Sequence, residues 1–477
     1  MLAGRLPFVL FALSFCARLL FTDATTDDAF ITYRYVENIL AGNGFVYNVG
    51  ERVLGVTTPL YTLLLALVGM MGVPARVAGP LLNILADSLV APLLSRPEPG
   101  SRERPIFGPL LYALCPINAF WSASGMETGL FCFTIALALY LYERERLTAA
   151  SIACAVAVLL RVDAGILVAV LIGHHLTTRR RMPWRAIAAF AGTVAPWIVF
   201  ATIYFGQPVP NSVIAKAALQ KTAVTDALWT ILGRGFLHLR NPVGIALLGF
   251  AIYAFVAVRR SRSSPWTLFA ITYAAAYTLT RAQLHPWYYP PAYVGYLPLA
   301  GVGIGAAIAR IRLERWKPLA VILLAAGAAA GLGIVYRTQL KQAATLGGFL
   351  RRTGAAIGRA TPAGSSILLK DIGYLGYYSG LQVHDFAGLV TPALIPYRAR
   401  LDFAGGLRAV QSDYALVSPE VARLLEADEW FRANYELIEI YSSGEFRMLC
   451  YGRRSVRSGE IRIPPGTPIE IESGEVI

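Results

Sequence analysis

The feature that most constrains this chain is a succession of apolar runs separated by arginine-rich connectors, filling most of its first 336 residues. The runs lie near 6–22, 58–73, 77–95, 106–121, 127–142, 149–160, 164–176, 186–205, 243–258, 266–281, 291–309 and 319–336. Spanning about 30 Å of hydrocarbon takes roughly 20 helical residues, so several of these runs predict thin, tilted or broken helices. The whole chain is 56% hydrophobic and 15% charged, whereas soluble proteins average about 45–50% and about 25%. Its formal charge of +14, from 43 Lys+Arg against 29 Asp+Glu, would by itself suit a nucleic-acid partner. A nucleic-acid binder gathers such charge on a solvated face, and here it is interleaved with apolar sequence. These properties argue against a nucleic-acid partner, a soluble enzyme, a disordered chain and a disulfide scaffold. They predict a multi-pass membrane protein. The five cysteines (Cys16, Cys115, Cys132, Cys154 and Cys450) show no CxxC pair or repeated spacing and read as small apolar residues.

Connector charge predicts the topology. Segments 96–105, 143–146, 179–185, 259–262 and 310–317 are basic or dense in arginine, and the positive-inside tendency puts all five in the cytoplasm. That assignment closes only if 58–95, with its two apolar runs, makes a single net crossing, one run being re-entrant or interfacial. About eleven crossings follow, with the N-terminus inside and the C-terminus outside. Loop 23–57, the turn at Glu127, Arg161–Asp163, segment 206–242, His285 and the tail then share the outer face. Residues 1–336 hold 27 Lys+Arg and 14 Asp+Glu, against 16 and 15 in 337–477, so the basic excess belongs to the apolar part. Two domains are expected: a transmembrane domain over 1–336 and a soluble extracytoplasmic α/β domain over 337–477. The second has strand-like runs at 366–370, 414–417, 437–441 and 446–450, and helix-like ones at 338–359 and 419–434. Its last residues read as an edge strand or a frayed end.

Polar residues between the runs carry the chemistry. Thr26, Asp27 and Asp28 precede Phe30, Tyr33 and Ile39 and predict a short amphipathic helix on the membrane surface, stopped by Gly42 and Gly44. Asp27 and Asp28 either cap that helix or, partly desolvated at the boundary, supply a general base. Glu127, in Ser124-Gly125-Met126-Glu127-Thr128, either caps the next helix or lines an outward cavity. Arg161 and Asp163 fall at membrane depth, where charges are paired with each other or functional. Asn211 and Lys216, a rigid turn followed by a cation one helical turn on, belong either to a solvated helix start or to a site. Arg281 and His285 stand among Trp287, Tyr288 and Tyr289, either as cations at a site or within an aromatic belt. An acid pair with several cations on one face suits glycosyl transfer from a lipid phosphate: cations bind and stabilise the leaving phosphate, and a carboxylate takes the acceptor's proton. If a divalent cation takes part, Asp27, Asp28 and Glu127 are the oxygen donors available. A transporter or flippase for lipid-linked sugars is the competing class, but it predicts a midplane site between pseudo-symmetric halves. A non-catalytic membrane scaffold would not need so many outward polar motifs.

The run Asp27-Asp28-Ala29-Phe30-Ile31, Arg34-Tyr35, Gly42-Asn43-Gly44 and Val46-Tyr47-Asn48 resembles the first outer loop of GT-C superfamily glycosyltransferases. So do Gly55-Val56-Thr57-Thr58-Pro59-Leu60, Ser124-Gly125-Met126-Glu127-Thr128 and Pro210-Asn211-Ser212 with Ala215-Lys216. The chain most resembles bacterial terminal arabinofuranosyltransferase-like members and, more distantly, the protein O-mannosyltransferases and lipid A aminoarabinose transferases. The resemblance implies a polytopic enzyme of the bacterial inner membrane. It would take sugar from a polyprenyl-phosphate donor on the periplasmic side and pass it, with inversion, to a cell-envelope glycan, lipid or protein. On that pattern Asp28 or Asp27 is the base; by their charge, Arg161, Lys216 and His285 are expected to contact donor phosphate. Two departures bear on the sugar. Arg161-Val162-Asp163-Ala164-Gly165 stands where the family often has Arg-Pro-acid-Gly, and Thr58-Pro59-Leu60-Tyr61 where it often has Asn-Pro-Leu-Trp. The tail's Asp371-Ile372-Gly373, Gly376-Tyr377-Tyr378 and Asp385…Gly388-Leu389 also look like this group's soluble domain.

Overall fold

Apolar periodicity becomes helix through most of the first 360 residues. The computed structural model describes residues 2–97, 104–218, 242–280, 285–310, 314–455 and 469–470. Among these, Ala75–Leu94, Trp184–Phe205 and Pro286–Arg310 are long and apolar enough to cross a membrane. A fourth candidate is the pair Pro116–Ala123 and Thr128–Glu143, bent by 118° at the Glu127 turn. The expectation of about eleven crossings draws on shorter helices as well. One of these, Pro59–Met70, has only 12 residues and rises about 18 Å, too little for a bilayer. It is the partner of Ala75–Leu94 within 58–95, the segment for which one net crossing is expected. The run at 106–121 is split into Phe107–Ala113 and Pro116–Ala123, because Pro116 has no N–H with which to continue the first helix.

Helix Asp27–Leu40 follows the first helix, Leu2–Leu19, across a short turn. Ala29, Phe30, Tyr33 and Val36 are buried on it, at helical spacing. Gly42 (φ +79°) and Gly44 (φ +90°) turn the chain out of it in the left-handed region that glycine tolerates.

The tail is a six-stranded sheet, β1 Ser366–Leu369, β2 Gln382–Asp385, β3 Tyr414–Val417, β4 Tyr435–Ser443, β5 Phe446–Arg453 and β6 Ile469–Glu470, in the order β2-β1-β3-β5-β4-β6. β1 lies parallel to both β2 and β3, and β5 is antiparallel to β3 and β4. β1 and β3 are short apolar runs, nearly or wholly buried, as expected for strands inside a sheet. The helix-like stretch at 419–434 proves to be two helices, Pro419–Glu426 and Glu429–Asn434. Asp428 ends one and caps the other by accepting from the Phe431 N–H at 2.9 Å. The 463–477 end contributes β6, parallel to β4.

Candidate functional site

The 23–57 loop is the hub, and two sets of contacts leave it in different directions. One set reaches the Ser124–Thr128 turn. The Thr26 N–H donates to the Ser124 carbonyl at 3.0 Å. The Tyr33 and Tyr61 hydroxyls both donate to the Gly125 carbonyl, at 3.1 and 2.7 Å. Gly125 has φ +85°, and a Cβ there would collide with the Tyr33 hydroxyl, so the turn needs glycine twice over. Held this way, Glu127 is 4% exposed and faces Arg161 at 3.7 Å.

Arg161 organises the next layer. Its Nε and Nη2 donate to Asp163 Oδ1 and Oδ2 at 3.1 and 2.9 Å, a bidentate pair of the kind that fixes both partners. Asp163 Oδ2 also accepts from the Tyr273 and Tyr277 hydroxyls at 2.7 and 2.8 Å. These tyrosines are four residues apart on helix Pro265–Thr280 and share one face. The Arg161 guanidinium lies over the Tyr288 ring at 4.8 Å, and Lys216 Nζ donates to the Tyr288 hydroxyl at 3.1 Å. His285 stacks on Trp287 at 4.4 Å. Burial and the nearby Lys216 charge push its imidazole down to about 4, so it is neutral at pH 7. Among the described residues the positive charges of this cluster are therefore Arg161 and the exposed Lys216. Asn211 serves the frame: its N–H donates to the Leu54 carbonyl at 2.8 Å, and its side-chain oxygen accepts from Gln207 at 2.7 Å. Arg281 lies outside the described residues.

The second set of contacts reaches the tail. Asp27 Oδ2 and Oδ1 accept from the backbone N–H groups of Gly373 and Tyr374 at 3.0 and 2.6 Å. These two groups open helix Tyr374–Ser379. At its other end, Arg34 donates to the carbonyls of Gly376 and Leu381. A carboxylate thus sits at the positive end of this helix and a guanidinium at its negative end, both complementing its dipole. The Tyr47 hydroxyl donates to the Ile372 carbonyl at 2.5 Å. Asn48 makes a two-way amide pair with Val383 on β2, at 2.9 and 3.0 Å. Phe30 packs among Tyr374, Tyr377 and Tyr378.

The two aspartates therefore differ. Both carboxylate oxygens of Asp27 are engaged by the tail, and burial, with Asp28 beside it, pushes its carboxyl up to about 7. Asp28 is partly buried, and among the described residues its carboxylate has no hydrogen-bond partner. Burial raises its carboxyl above the usual range, with Lys216 opposing that shift and Asp371 of the tail reinforcing it. Asp27, Asp28 and Glu127 do not come together as cation donors. Among the described residues no group of three His, Cys, Asp or Glu side chains is placed to hold a metal ion. Sequence reasoning singled out neither the Tyr273–Tyr277 pair as partners of Asp163 nor Tyr288 as a contact of Arg161. The four-residue tyrosine spacing was the available signal for the first.

Helices long and apolar enough to cross a membrane, with a sheet-bearing tail seated on the first long loop, are the class these features define. The chain superposes on ArnT from Cupriavidus metallidurans bound to undecaprenyl phosphate with a TM-score of 0.60 and 15% identity, covering 93% of this chain and 97% of that one. For the apo state of the same protein the TM-score is 0.57 at 15% identity, covering 94% and 98%. In sequence the chain is 30% identical over 217 residues to a terminal beta-(1->2)-arabinofuranosyltransferase of Mycobacterium tuberculosis, which is 40% of this chain. The matched region spans 35% of the length of that curated relative. Residues 334–459 match a family model described as a domain of unknown function, DUF8728.

Proposed function

We propose that this chain is an integral-membrane glycosyltransferase. It moves a sugar, arabinofuranose or a hexose, from a polyprenyl-phosphate donor to a hydroxyl of a cell-envelope glycan, lipid or protein. The observation that carries the reading is Asp28: a partly buried carboxylate with no hydrogen-bond partner among the described residues, beside Lys216 and the Arg161–Glu127–Asp163 network. The named chemistry of the relatives supports it, since one is an arabinofuranosyltransferase and the other holds undecaprenyl phosphate. In the reaction Asp28 takes the acceptor's hydroxyl proton as that oxygen bonds to the anomeric carbon. The bond from that carbon to the phosphate oxygen breaks, and polyprenyl phosphate leaves with the electron pair. Attack from the face opposite the phosphate inverts the centre. Lys216 meets the phosphate, with Arg161 behind it across Tyr288, and together they stabilise its charge. Asp27 holds the tail in place.

The same reading takes residues 1–336 as the catalytic membrane domain, with about eleven crossings and the N-terminus in the cytoplasm. Residues 337–477 form the soluble domain on the periplasmic side of a bacterial inner membrane. The test is transfer from a labelled polyprenyl-phosphate sugar by purified protein. Asp28→Asn is expected to lower the rate by about 10²–10⁴-fold, and Asp27→Asn by far less. Wild-type transfer by Asp28→Asn would sink the assignment, and a wild-type protein that moves the intact donor across vesicles without transfer would favour a transporter.

A further inference from the structure

The turn that carries Glu127 is gripped by a helix that contributes no residue to the site itself. Asn83 lies in Ala75–Ser88, within the apolar span Ala75–Leu94, and is fully buried. A buried amide is costly unless its donors and acceptor are engaged, and this one is. Oδ1 accepts from the Leu130 N–H at 2.8 Å, and Nδ2 donates to the Tyr61 hydroxyl and the Gly79 carbonyl, each at 2.9 Å. Leu130 is the third residue of helix Thr128–Glu143, where the first N–H groups have no partner in their own helix. Asn83 therefore caps that helix from 47 positions away.

The direction of each bond is forced. The Gly125 carbonyl only accepts, so the single Tyr61 hydroxyl hydrogen goes to it at 2.7 Å, and the hydroxyl oxygen accepts from Asn83 Nδ2. The Leu130 N–H only donates, so Oδ1 must face it. The amide thus has one working orientation, in which it holds the chain on both sides of Glu127: Leu130 directly, and Gly125 through Tyr61. Close backbone packing leaves Asn83 little slack. A Cβ on Gly129 would meet the Asn83 carbonyl oxygen at 2.5 Å, and one on Gly79 would meet the Tyr33 and Tyr61 hydroxyls at 2.6 and 2.8 Å. The Glu127 carboxylate has little else to aim it. It stands 3.7 Å from Arg161, beyond hydrogen-bonding distance, and among the described residues no other side chain hydrogen-bonds to it.

We propose that Asn83 is a positioning residue for transfer: its amide sets the place of the Glu127 carboxylate, which accepts a hydroxyl of the donor sugar beside Arg161. The role rests on the glycosyltransferase reading; the grip on the turn does not. Aspartate at this position has the same shape but offers oxygen where Tyr61 and Gly79 need a donor. The hold on Gly125 is then lost and Glu127 shifts, and a misplacement of about 1 Å is worth about 10²-fold in rate.

The test uses the full-length protein in nanodiscs with a labelled polyprenyl-phosphate sugar. Asn83→Asp should lower kcat/KM about 100-fold and weaken equilibrium binding of the donor about tenfold. Tyr61→Phe breaks only the relay to Gly125 and should cost about tenfold in kcat/KM; it decides the matter should Asn83→Asp not fold. Ser88→Ala, equally buried on the same helix, removes a hydroxyl that donates to the Ile84 carbonyl and should match the wild type. The deciding readout is coupling to Glu127. Added to Glu127→Gln, Asn83→Asp and Tyr61→Phe should each cost little more, because they act through that carboxylate. Wild-type kcat/KM in folded Asn83→Asp or in Tyr61→Phe overturns the proposal. So do losses that multiply with that of Glu127→Gln, the mark of a merely structural role. A wild type that binds the donor without transferring it strikes the reaction reading alone, and the same cycle run on donor Kd then decides the positioning.

Discussion

Two buried arginines in the helical part of the molecule are built from the same materials and put to different use. Arg18 is fully buried. Its Nε donates to Asp87 at 2.6 Å, its Nη1 donates to the Ser14 and Ala113 carbonyls at 2.9 Å, and the Tyr112 hydroxyl holds the other Asp87 oxygen at 2.6 Å. Every partner is itself enclosed, so the charge leads nowhere. Arg161 has the same kind of aspartate and tyrosine neighbours but adds Glu127 at the looser distance of 3.7 Å. Through Tyr288 it also adds a path to exposed Lys216. The lesson is that ingredients do not assign a role. A buried ion pair closed on itself pins helices together, whereas one with a loosely held partner and a route to the surface can answer to a ligand.

Breaking the closed pair should produce the largest change in stability. Arg18→Met leaves Asp87 uncompensated and should cost about 3–5 kcal/mol, seen as a loss of monodisperse protein on size-exclusion chromatography. The double variant Arg18→Met with Asp87→Leu should recover most of it. If the single variant is as stable as the wild type, the pair does not pin the helices. The open pair should answer in activity instead. Arg161→Lys keeps a charge but loses the fork that binds Asp163, and transfer should fall about 10–100-fold while the protein remains folded. An equal loss of folded protein in both variants would erase the contrast.

A smaller effect sharpens the distinction between the neighbouring aspartates. Asp27→Asn keeps one acceptor oxygen for two N–H donors, and docking of helix Tyr374–Ser379 should weaken by about 1–2 kcal/mol. Faster amide exchange at Gly373 and Tyr374 would report it. The pH dependence has a definite sign. An acid raised from 3.8 to about 7 binds its proton more tightly folded than unfolded. Its contribution is therefore full at low pH and is lost as pH rises through about 7. Thermal midpoints of the wild type should decline across that window, and Asp27→Asn should flatten the slope. A slope unchanged by the substitution would detach it from Asp27.

Legibility of the molecule in its sequence followed the range of the interactions. Strands β1 and β3 were readable because each is a short apolar run bounded by turn residues. β2, Gln382–Asp385, was not, since Gln-Val-His-Asp contains one aliphatic residue and owes its strand to the parallel ladder with β1. The break at Glu127 was readable from the turn between two runs, but the 118° bend was not. Arg161 stood out as a charge between short runs. Arg18 and Asp87 did not, because their partners lie 69 positions apart within otherwise apolar helices. Asp27 is the sharpest case. Its neighbours suggest a cap for its own helix, yet the N–H group it satisfies at Gly373 is 346 residues away. No local pattern encodes such a partner.

The amide pair between Asn48 and Val383 bears on how the chain matures. β2 lies at one border of the sheet, where unpaired N–H and C=O groups invite another strand. Asn48 occupies that border with a side chain that imitates a strand's own backbone. During synthesis the 23–57 loop emerges more than three hundred residues before β2, so the stopper is made first and waits for the edge it covers. A tail produced without that loop would carry its border open to pairing with another strand.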